Sequence, residues 1–356
     1  MQRFESILNG NSRSVATMIL RGLLLAASQP YGTAVGVRNW MYDRGWLASN
    51  STALPVISVG NLTAGGTGKT PACAMFARWF RKHGVRVAIL SRGYRALEDG
   101  INDEARELEL LLPDVPHLQS PDRCAMAELA QQELGMQLLL LDDGFQHRRI
   151  QRNLDVVLID ATEPFGYGYL LPRGLLREPI YALRRADMVI ATRSDQVDRQ
   201  RLSELRNRVQ RYNPKAAWLE AEHAPVVLVN CQGDSKTLDS LQGLSIFVLS
   251  AIGNPTSFQT TLERLGATVL EHAIFPDHHP FSRPDMERLE TQIAAMSPKP
   301  EMILCTGKDL AKLQTPKLGG VPVYALQIAM RIVTGEAIFE EHMQRIRELI
   351  PQDGSD

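Results

Sequence analysis

The chain has 356 residues and carries 39 Lys and Arg against 40 Asp and Glu, so its net charge of −1 gives no general attraction to nucleic acid, and any basic function must be local. A hydrophobic content of 44% furnishes real cores, and the length suits two domains. The four cysteines, Cys73, Cys124, Cys231 and Cys305, lie far apart without a C-x-x-C pair, which argues against a zinc site or a disulfide framework and fits a reducing compartment.

The first predicted element is the apolar run VATMILRGLLLAA, Val15 to Ala27, with Arg3, Arg13, Arg38 and Arg44 around it. It is not a membrane span, because spanning takes about 20 apolar residues and Arg21 interrupts the run near its middle. A cleaved signal peptide fits poorly, since it would export a nucleotide site to a place without ATP. Two readings stay open. One is a helix in the membrane interface, with Arg3, Arg13 and Arg21 snorkelling toward anionic headgroups, which explains both the apolarity and the charge; the other is a helix packed on the protein's own core.

Next comes VISVGNLTAGGTGKTP, Val56 to Pro71, which reads as strand, glycine-rich loop and helix start. Helix N-termini expose unpaired N–H groups and a partial positive charge, so a loop of this kind cradles phosphate. Lys69 would reach the β- and γ-phosphates of ATP and the Thr70 hydroxyl would ligate Mg²⁺, with Thr63, Gly65, Gly66, Thr67 and Gly68 forming the cradle. Thr63 stands where the strict pattern has its first glycine, and the bland alternative is an ordinary βα turn with a solvated lysine.

The segment ACAMFARWFRKHG shows a one-face helical pattern capped at Gly84, followed by the strand VRVAILS. RCAMAELAQQELG then reads as helix, and MQLLLLDDG, LDVVLIDA and ADMVIAT read as buried strands. Short apolar strands alternating with helices predict a mostly parallel sheet covered by helices on both faces. A polar stretch up to about Gly243 marks a boundary, after which LSIFVLSAIG, PTSFQTTLERLG, EMILCTG and VPVYALQI form a second α/β set. The division expected is 1–50 for the N-terminal membrane-associating helix and lead-in, 51–230 for the core that carries the glycine-rich loop, 231–350 for a smaller α/β domain with a C-terminal docking helix, and 351–356 for the tail.

Asp142 and Asp143 end a strand, where open α/β sheets place ligands and nucleotide enzymes place a magnesium carboxylate; a solvated turn is the alternative. His147 follows in GFQHRR. YLLPRGLLREP carries Arg177 and Glu178 on a loop suited to presenting charge, or to a weak surface ion pair. Asp103 opens a helix and on pattern alone reads as a cap. In FPDHHPF, Asp277, His278 and His279 suggest proton handling better than metal binding. Lys308 and Asp309 of TGKDLAKL are as compatible with a structural as with a functional role.

In order, VGNLTAGGTGKTP, SRGY, NDE, DDGFQH, LLPRGLLRE, AIGNP, DHH and TGKD resemble the tetraacyldisaccharide 4'-kinases of lipid A biosynthesis, from about Val59 to Asp309. That family's loop also lacks the first glycine. The resemblance implies a P-loop NTPase-type fold with a smaller C-terminal α/β domain, and transfer of the γ-phosphate of ATP to the 4'-hydroxyl of a tetraacyldisaccharide 1-phosphate. It implies Asp103 as the base for the sugar hydroxyl and His278 as its partner across a domain cleft. Asp142, Asp143, Thr70 and Glu178 fall near the metal, Tyr94 near the nucleotide, and Arg123, His147 and Arg177 near the substrate. It further implies a peripheral enzyme on the cytoplasmic face of the inner membrane, with no nucleic acid and no obligate protein partner. A P-loop ATPase of the partitioning or maturation-factor type is the alternative. Asn102 replaces the glycine of the family's G-D-E, and the segment after Tyr94 looks shortened, which bears on nucleotide affinity or closure.

Overall fold

The computed structural model describes residues 14–93, 103–276 and 279–351, with the side chains of 103, 104 and 110 excepted. The chain is an α/β protein built on a large, mostly parallel sheet. In chain order its elements are α1 (Val15–Asp43), β1 (Val56–Asn61), α2 (Lys69–Lys82), β2 (Val87–Ser91), α3 (Asp103–Leu111), β3 (His117–Gln119), α4 (Arg123–Gln132), β4 (Leu138–Asp142) and β5 (Leu154–Asp160). There follow β6 (Met188–Thr192), α5 (Arg199–Tyr212), β7 (Ala217–Val229), β8 (Ser235–Lys236), β9 (Ser245–Ser250), α6 (Pro255–Arg264) and β10 (Thr268–Ile274). The last are α7 (Arg283–Ala295), β11 (Met302–Thr306), α8 (Gly307–Leu313), β12 (Lys317–Leu318), β13 (Val321–Thr334) and α9 (Glu336–Glu348).

Two compact units emerge. The first holds residues 1–92, 115–223 and 330–356; the second holds 93–114 and 224–329. This differs from the linear division expected at 230/231. The strand β7 extends upstream to Ala217 and β13 extends to Thr334, so the crossings into and out of 224–329 fall within these strands and not in the polar stretch before Gly243. The C-terminal helix α9 consequently falls in the first unit.

In the first unit the strands lie in the order β3-β2-β4-β1-β5-β6-β7, all parallel. Their β-branched and leucine runs are buried along the whole length of β1, β2, β4 and β6, as a parallel sheet covered on both faces requires. Parallel pairing points every strand the same way, so the C-terminal ends of β1, β4, β5 and β6 open on one edge. In register, Val59 of β1 faces Asp142 of β4, which sets the glycine-rich loop beside the aspartate pair. The second unit repeats the logic on a smaller scale, with β10-β9-β11-β13 parallel and β12 antiparallel to β13.

The helix α1 is longer than the apolar run from which it was expected, continuing through Pro30 to Asp43. Its first half exposes Val15, Met18, Ile19 and Leu23, each at 60% or more, while Ser28 and Asn39 in its later part are buried. Among the described residues, no helix is long and apolar enough to cross a membrane.

Helix α9 docks as its stripe predicts, burying Phe339, Met343 and Ile346. The Phe339 ring lies 5.5 Å from that of Phe76 on α2, and the Trp79 indole N–H donates to Glu340 at 2.9 Å. Replacing Phe339, 5% exposed, by Ala leaves a cavity behind the helix that begins at Lys69. Phe339→Ala is expected to lower unfolding free energy by about 3–5 kcal/mol in a denaturant titration. A change below about 1 kcal/mol would make the docking peripheral.

Candidate active site

The glycine-rich loop leaves β1 at Asn61 and ends at Gly68, the N-cap of α2, whose φ of +90° favours glycine. A second reason for glycine there is steric: a Cβ would stand 2.5 Å from Nε2 of His223 on β7. Gly65 also has positive φ, at +136°, while Thr63, Thr67 and Thr70 are buried. Thr63, in the place of the pattern's first glycine, forms a bridge with Leu176. The segment 166–177 closes over this approach, with Ala64 N–H donating to Leu175 C=O and Arg177 N–H donating to Leu62 C=O, both at 2.7 Å.

Four of the sequence-derived site residues meet at Asp143. Lys69 Nζ lies 3.7 Å from its carboxylate, Arg177 Nη1 donates to both carboxylate oxygens at 2.7 and 2.8 Å, and Arg123 Nη1 donates to its backbone C=O at 3.4 Å. Asp143 holds this position in the left-handed region, with φ +49°, a strain that side chains rarely bear away from functional sites. Burial pushes its carboxyl up, but Lys69, Arg177 and Arg123 more than offset this and hold it below the usual carboxylate range. It therefore stays ionised at neutral pH. Asp142 is 4% exposed, with the Cys73 thiol 3.7 Å from its Oδ1.

Arg123, 3% exposed, is the first residue of α4, whose N-cap Asp122 accepts from the N–H groups of Cys124 and Ala125. Gln146 donates to Asn61 C=O at 2.9 Å and so ties the DDGFQH turn to the root of the glycine-rich loop. His147 is packed among Arg123, Arg152, Arg149 and Arg38; burial first, and those cations second, bring its pKa down to about 4. It is a neutral imidazole.

Glu178 turns to a different set of partners. Its carboxylate is 1% exposed and accepts from Asn39 Nδ2 at 3.0 Å and Arg185 Nη2 at 2.8 Å, while Oε1 is buried without a hydrogen-bond partner. Losing Arg185 would leave that charge uncompensated, at a cost of about 3–5 kcal/mol. The motifs alone do not reveal Asn39, or Tyr31, whose hydroxyl donates to the Arg177 C=O at 2.9 Å. Both belong to α1, a helix singled out in the sequence only for its apolar face. Also unflagged were His223 and Thr192. The end of β6 could have drawn notice by the same strand-end rule that singled out Asp142.

Asp103 opens α3, but its side chain lies outside the described atoms, and Tyr94, Asn102 and His278 lie outside the described residues. His279 is described, and its Nε2 is 2.9 Å from Asp285 in the capping turn of α7.

A glycine-rich strand-to-helix loop whose lysine shares an aspartate with two arginines, on the carboxyl edge of a parallel sheet, has the character of an α/β phosphotransferase. The family model described as tetraacyldisaccharide-1-P 4'-kinase (LpxK) matches residues 20–347. Relatives include the tetraacyldisaccharide 4'-kinase of Anaeromyxobacter dehalogenans (strain 2CP-C), 40% identical over 82% of this chain and 80% of that one. That of Anaeromyxobacter sp. (strain Fw109-5) is 38% identical over 94% of each. The fold is similar to the crystal structure of LpxK from Aquifex aeolicus in complex with ATP, with a TM-score of 0.74 and 30% identity over 92% of this chain and 99% of that one. The chain belongs to the tetraacyldisaccharide 4'-kinase family and is a kinase of lipid A biosynthesis.

The two half-buried imidazoles carry a pH signature. His223, like His147, is brought down to about 4, chiefly by burial and then by Arg193. As pH falls through about 6.5 the unfolded chain protonates both, whereas the folded chain waits until about 4. Their neutrality therefore contributes stability that is complete above about 6.5 and is lost toward 4. Asp155 works in the opposite sense, since burial raises it to about 6. The difference between wild type and a His147→Gln, His223→Gln double variant isolates the imidazoles. Denaturation midpoints across pH 4–7.5 are expected to fall less steeply in the double variant on the acid side, and parallel profiles would contradict it.

Proposed function

We propose that this chain transfers the γ-phosphate of ATP to the 4'-hydroxyl of tetraacyldisaccharide 1-phosphate, using a P-loop-type cradle at residues 63–70. The observation that carries the reading is the convergence of Lys69 and Arg177 on Asp143 at the start of α2. A cluster with two cationic side chains and a third cation at the backbone, beside unpaired helix N–H groups, suits a polyphosphate far better than a neutral ligand.

Phosphoryl transfer asks for positioning and charge neutralisation more than covalent help. Lys69 and the backbone of Gly65 to Thr70 would hold the β- and γ-phosphates, and Arg177 and Arg123 would take charge that develops on the γ-phosphoryl group. The 4'-oxygen attacks the γ-phosphorus, the bond from that phosphorus to the bridging β–γ oxygen breaks, and ADP leaves with its electron pair. The hydroxyl proton passes to the Asp103 carboxylate, with His278 as partner to that base, as the family resemblance implies. Tyr94 would contact the nucleotide, and His147, neutral, would offer a hydrogen bond to the acceptor without adding charge.

The donors present fit magnesium. Asp142 is a buried carboxylate, Thr70 a buried hydroxyl, and the Glu178 Oε1 is a buried oxygen lacking a partner; all are hard oxygens, and Mg²⁺ typically takes one or two carboxylates and completes its shell with phosphate and water. Asp142, Asp143 and Thr70 would hold the ion, with Glu178 assigned to it by the family resemblance, and it would supply neutralisation of phosphate charge.

A lipid acceptor suits an enzyme that works at a membrane surface. The outward apolar residues of α1, Val15, Met18, Ile19 and Leu23, support an interfacial helix on the cytoplasmic face of the inner membrane. Deleting residues 1–28 is expected to move the protein out of the lipid fraction in vesicle flotation while nucleotide binding survives. Equal flotation of both forms would remove the interfacial role.

The direct assay incubates the protein with ATP labelled in the γ-phosphate, Mg²⁺ and tetraacyldisaccharide 1-phosphate in detergent micelles. Label is expected in the lipid, and is expected to vanish with Lys69→Ala. Asp103→Ala is expected to retain ATP and lose about 10²–10⁴-fold in transfer. Label appearing only as free phosphate, indifferent to lipid, would favour a partitioning-type ATPase.

A further inference from the structure

We infer that Thr192 and Arg193, at the end of β6, are positioning residues for ATP: they turn two carbonyls of the glycine-rich loop away from the phosphate and so aim the loop's N–H groups into the cradle. This rests on the nucleotide reading proposed above and extends it to residues outside every motif of the sequence.

Thr192 has no exposed surface, and its hydroxyl donates to the C=O of Thr67 at 3.0 Å. The other acceptor within reach, Ile159 C=O, is at 3.5 Å, so the loop takes the better bond. Arg193 Nη2 donates to the C=O of Gly66 at 3.1 Å, while Nη1 pairs with Asp160 at the end of β5, which fixes the guanidinium. Arg193 adopts φ +52°, a left-handed conformation that is unfavourable away from glycine and persists where surrounding contacts impose it.

The consequence follows from peptide planarity. Across a trans peptide, C=O and N–H point in opposite directions. Drawing the Thr67 carbonyl toward β6 sends the Gly68 N–H the other way, and drawing the Gly66 carbonyl does the same for the Thr67 N–H. The Thr67 N–H meanwhile donates to the Gly65 C=O at 3.2 Å, a long bond in a three-residue turn that an anionic oxygen would replace with a stronger one. His223 completes the backing, since its ring lies against Gly68 and blocks the loop from settling toward β7. These contacts come from β5, β6 and β7, whereas Lys69 finds Asp143 at the end of β4, on the opposite side of β1. The loop is thus held from one flank and charged from the other.

The test uses the full-length protein in detergent micelles with Thr192→Val, which removes the hydroxyl at nearly constant volume, and Thr192→Ser, which keeps it. The readouts are KM for ATP at fixed lipid, KM for lipid at fixed ATP, calorimetric binding of ADP, and the thermal midpoint. Thr192→Val is expected to raise KM for ATP and Kd for ADP about tenfold, the effect of losing one well-made buried hydrogen bond, with KM for lipid unchanged. Thr192→Ser is expected to restore both to within about twofold of wild type. ADP binding that is abolished in Lys69→Ala but kept at wild-type strength in Thr192→Val would overturn the inference alone. Equal rises in both KM values with a lowered midpoint would also overturn it, as the mark of a general structural defect. Failure of the wild type itself to bind ADP would overturn the nucleotide reading and the inference together.

Discussion

The site depends on one carboxylate placed among cations. Lys69 from α2 and Arg177 from the 166–177 segment converge on Asp143, and Arg123 from α4 reaches the backbone of the same residue. Without a counter-charge, bringing such groups together in partly buried surroundings would cost more than their packing returns. Asp143 supplies it, and does so from a left-handed backbone that the end of β4 and the following Gly144 impose. The arrangement is poised because the carboxylate satisfies the cations in the same place where phosphate oxygens could compete for them. The proposed phosphate binding would therefore draw on the same few charges that hold this part of the structure together.

Around that centre the supporting contacts come mainly from backbone carbonyls and buried polar side chains. Helix α1 is the clearest example. Its outer half is apolar and exposed, yet its later turns send Tyr31 to the Arg177 carbonyl and Asn39 to Glu178. Arg148 returns to α1 with bonds to the Asn39 carbonyl and to Asp43, so the DDGFQHRR turn and the helix hold each other. One helix therefore carries both the surface suited to a lipid bilayer and groups that brace the loop bearing Arg177. The helix with the exposed apolar face is thus bonded directly to the segment that carries Arg177 and Glu178.

Much of this was legible in the residues. The glycine-rich loop, the aspartate pair and the charged RGLLRE segment each declare themselves locally, since glycine, strand-end carboxylates and loop arginines have few reasons to occur in those patterns. The buried runs of β1, β4, β5 and β6 likewise announce a parallel sheet by lacking a polar face. What stayed hidden was partnership. Glu178 stands beside Arg177 in the chain, yet its hydrogen bonds run to Asn39 and Arg185. Nothing in ADMVIATR says that Thr192 and Arg193 grip the carbonyls of Thr67 and Gly66, because the two segments are more than 120 residues apart.

The amino-acid sequence by itself determined the class of sheet, the glycine-rich strand-to-helix loop and the family, because each rests on local backbone requirements or on the order of short motifs. Only the tertiary structure decided that Asp143, not Asp142, meets Lys69 and Arg177, and that Gly68 must be glycine for the sake of His223 as well as for its φ. It also decided that two of the passages between compact units fall inside the long strands β7 and β13. The reason is common to all three. Backbone geometry is encoded in neighbours along the chain, whereas charge pairing, steric exclusion and domain boundaries depend on which distant segments parallel strand order brings to one edge of the sheet.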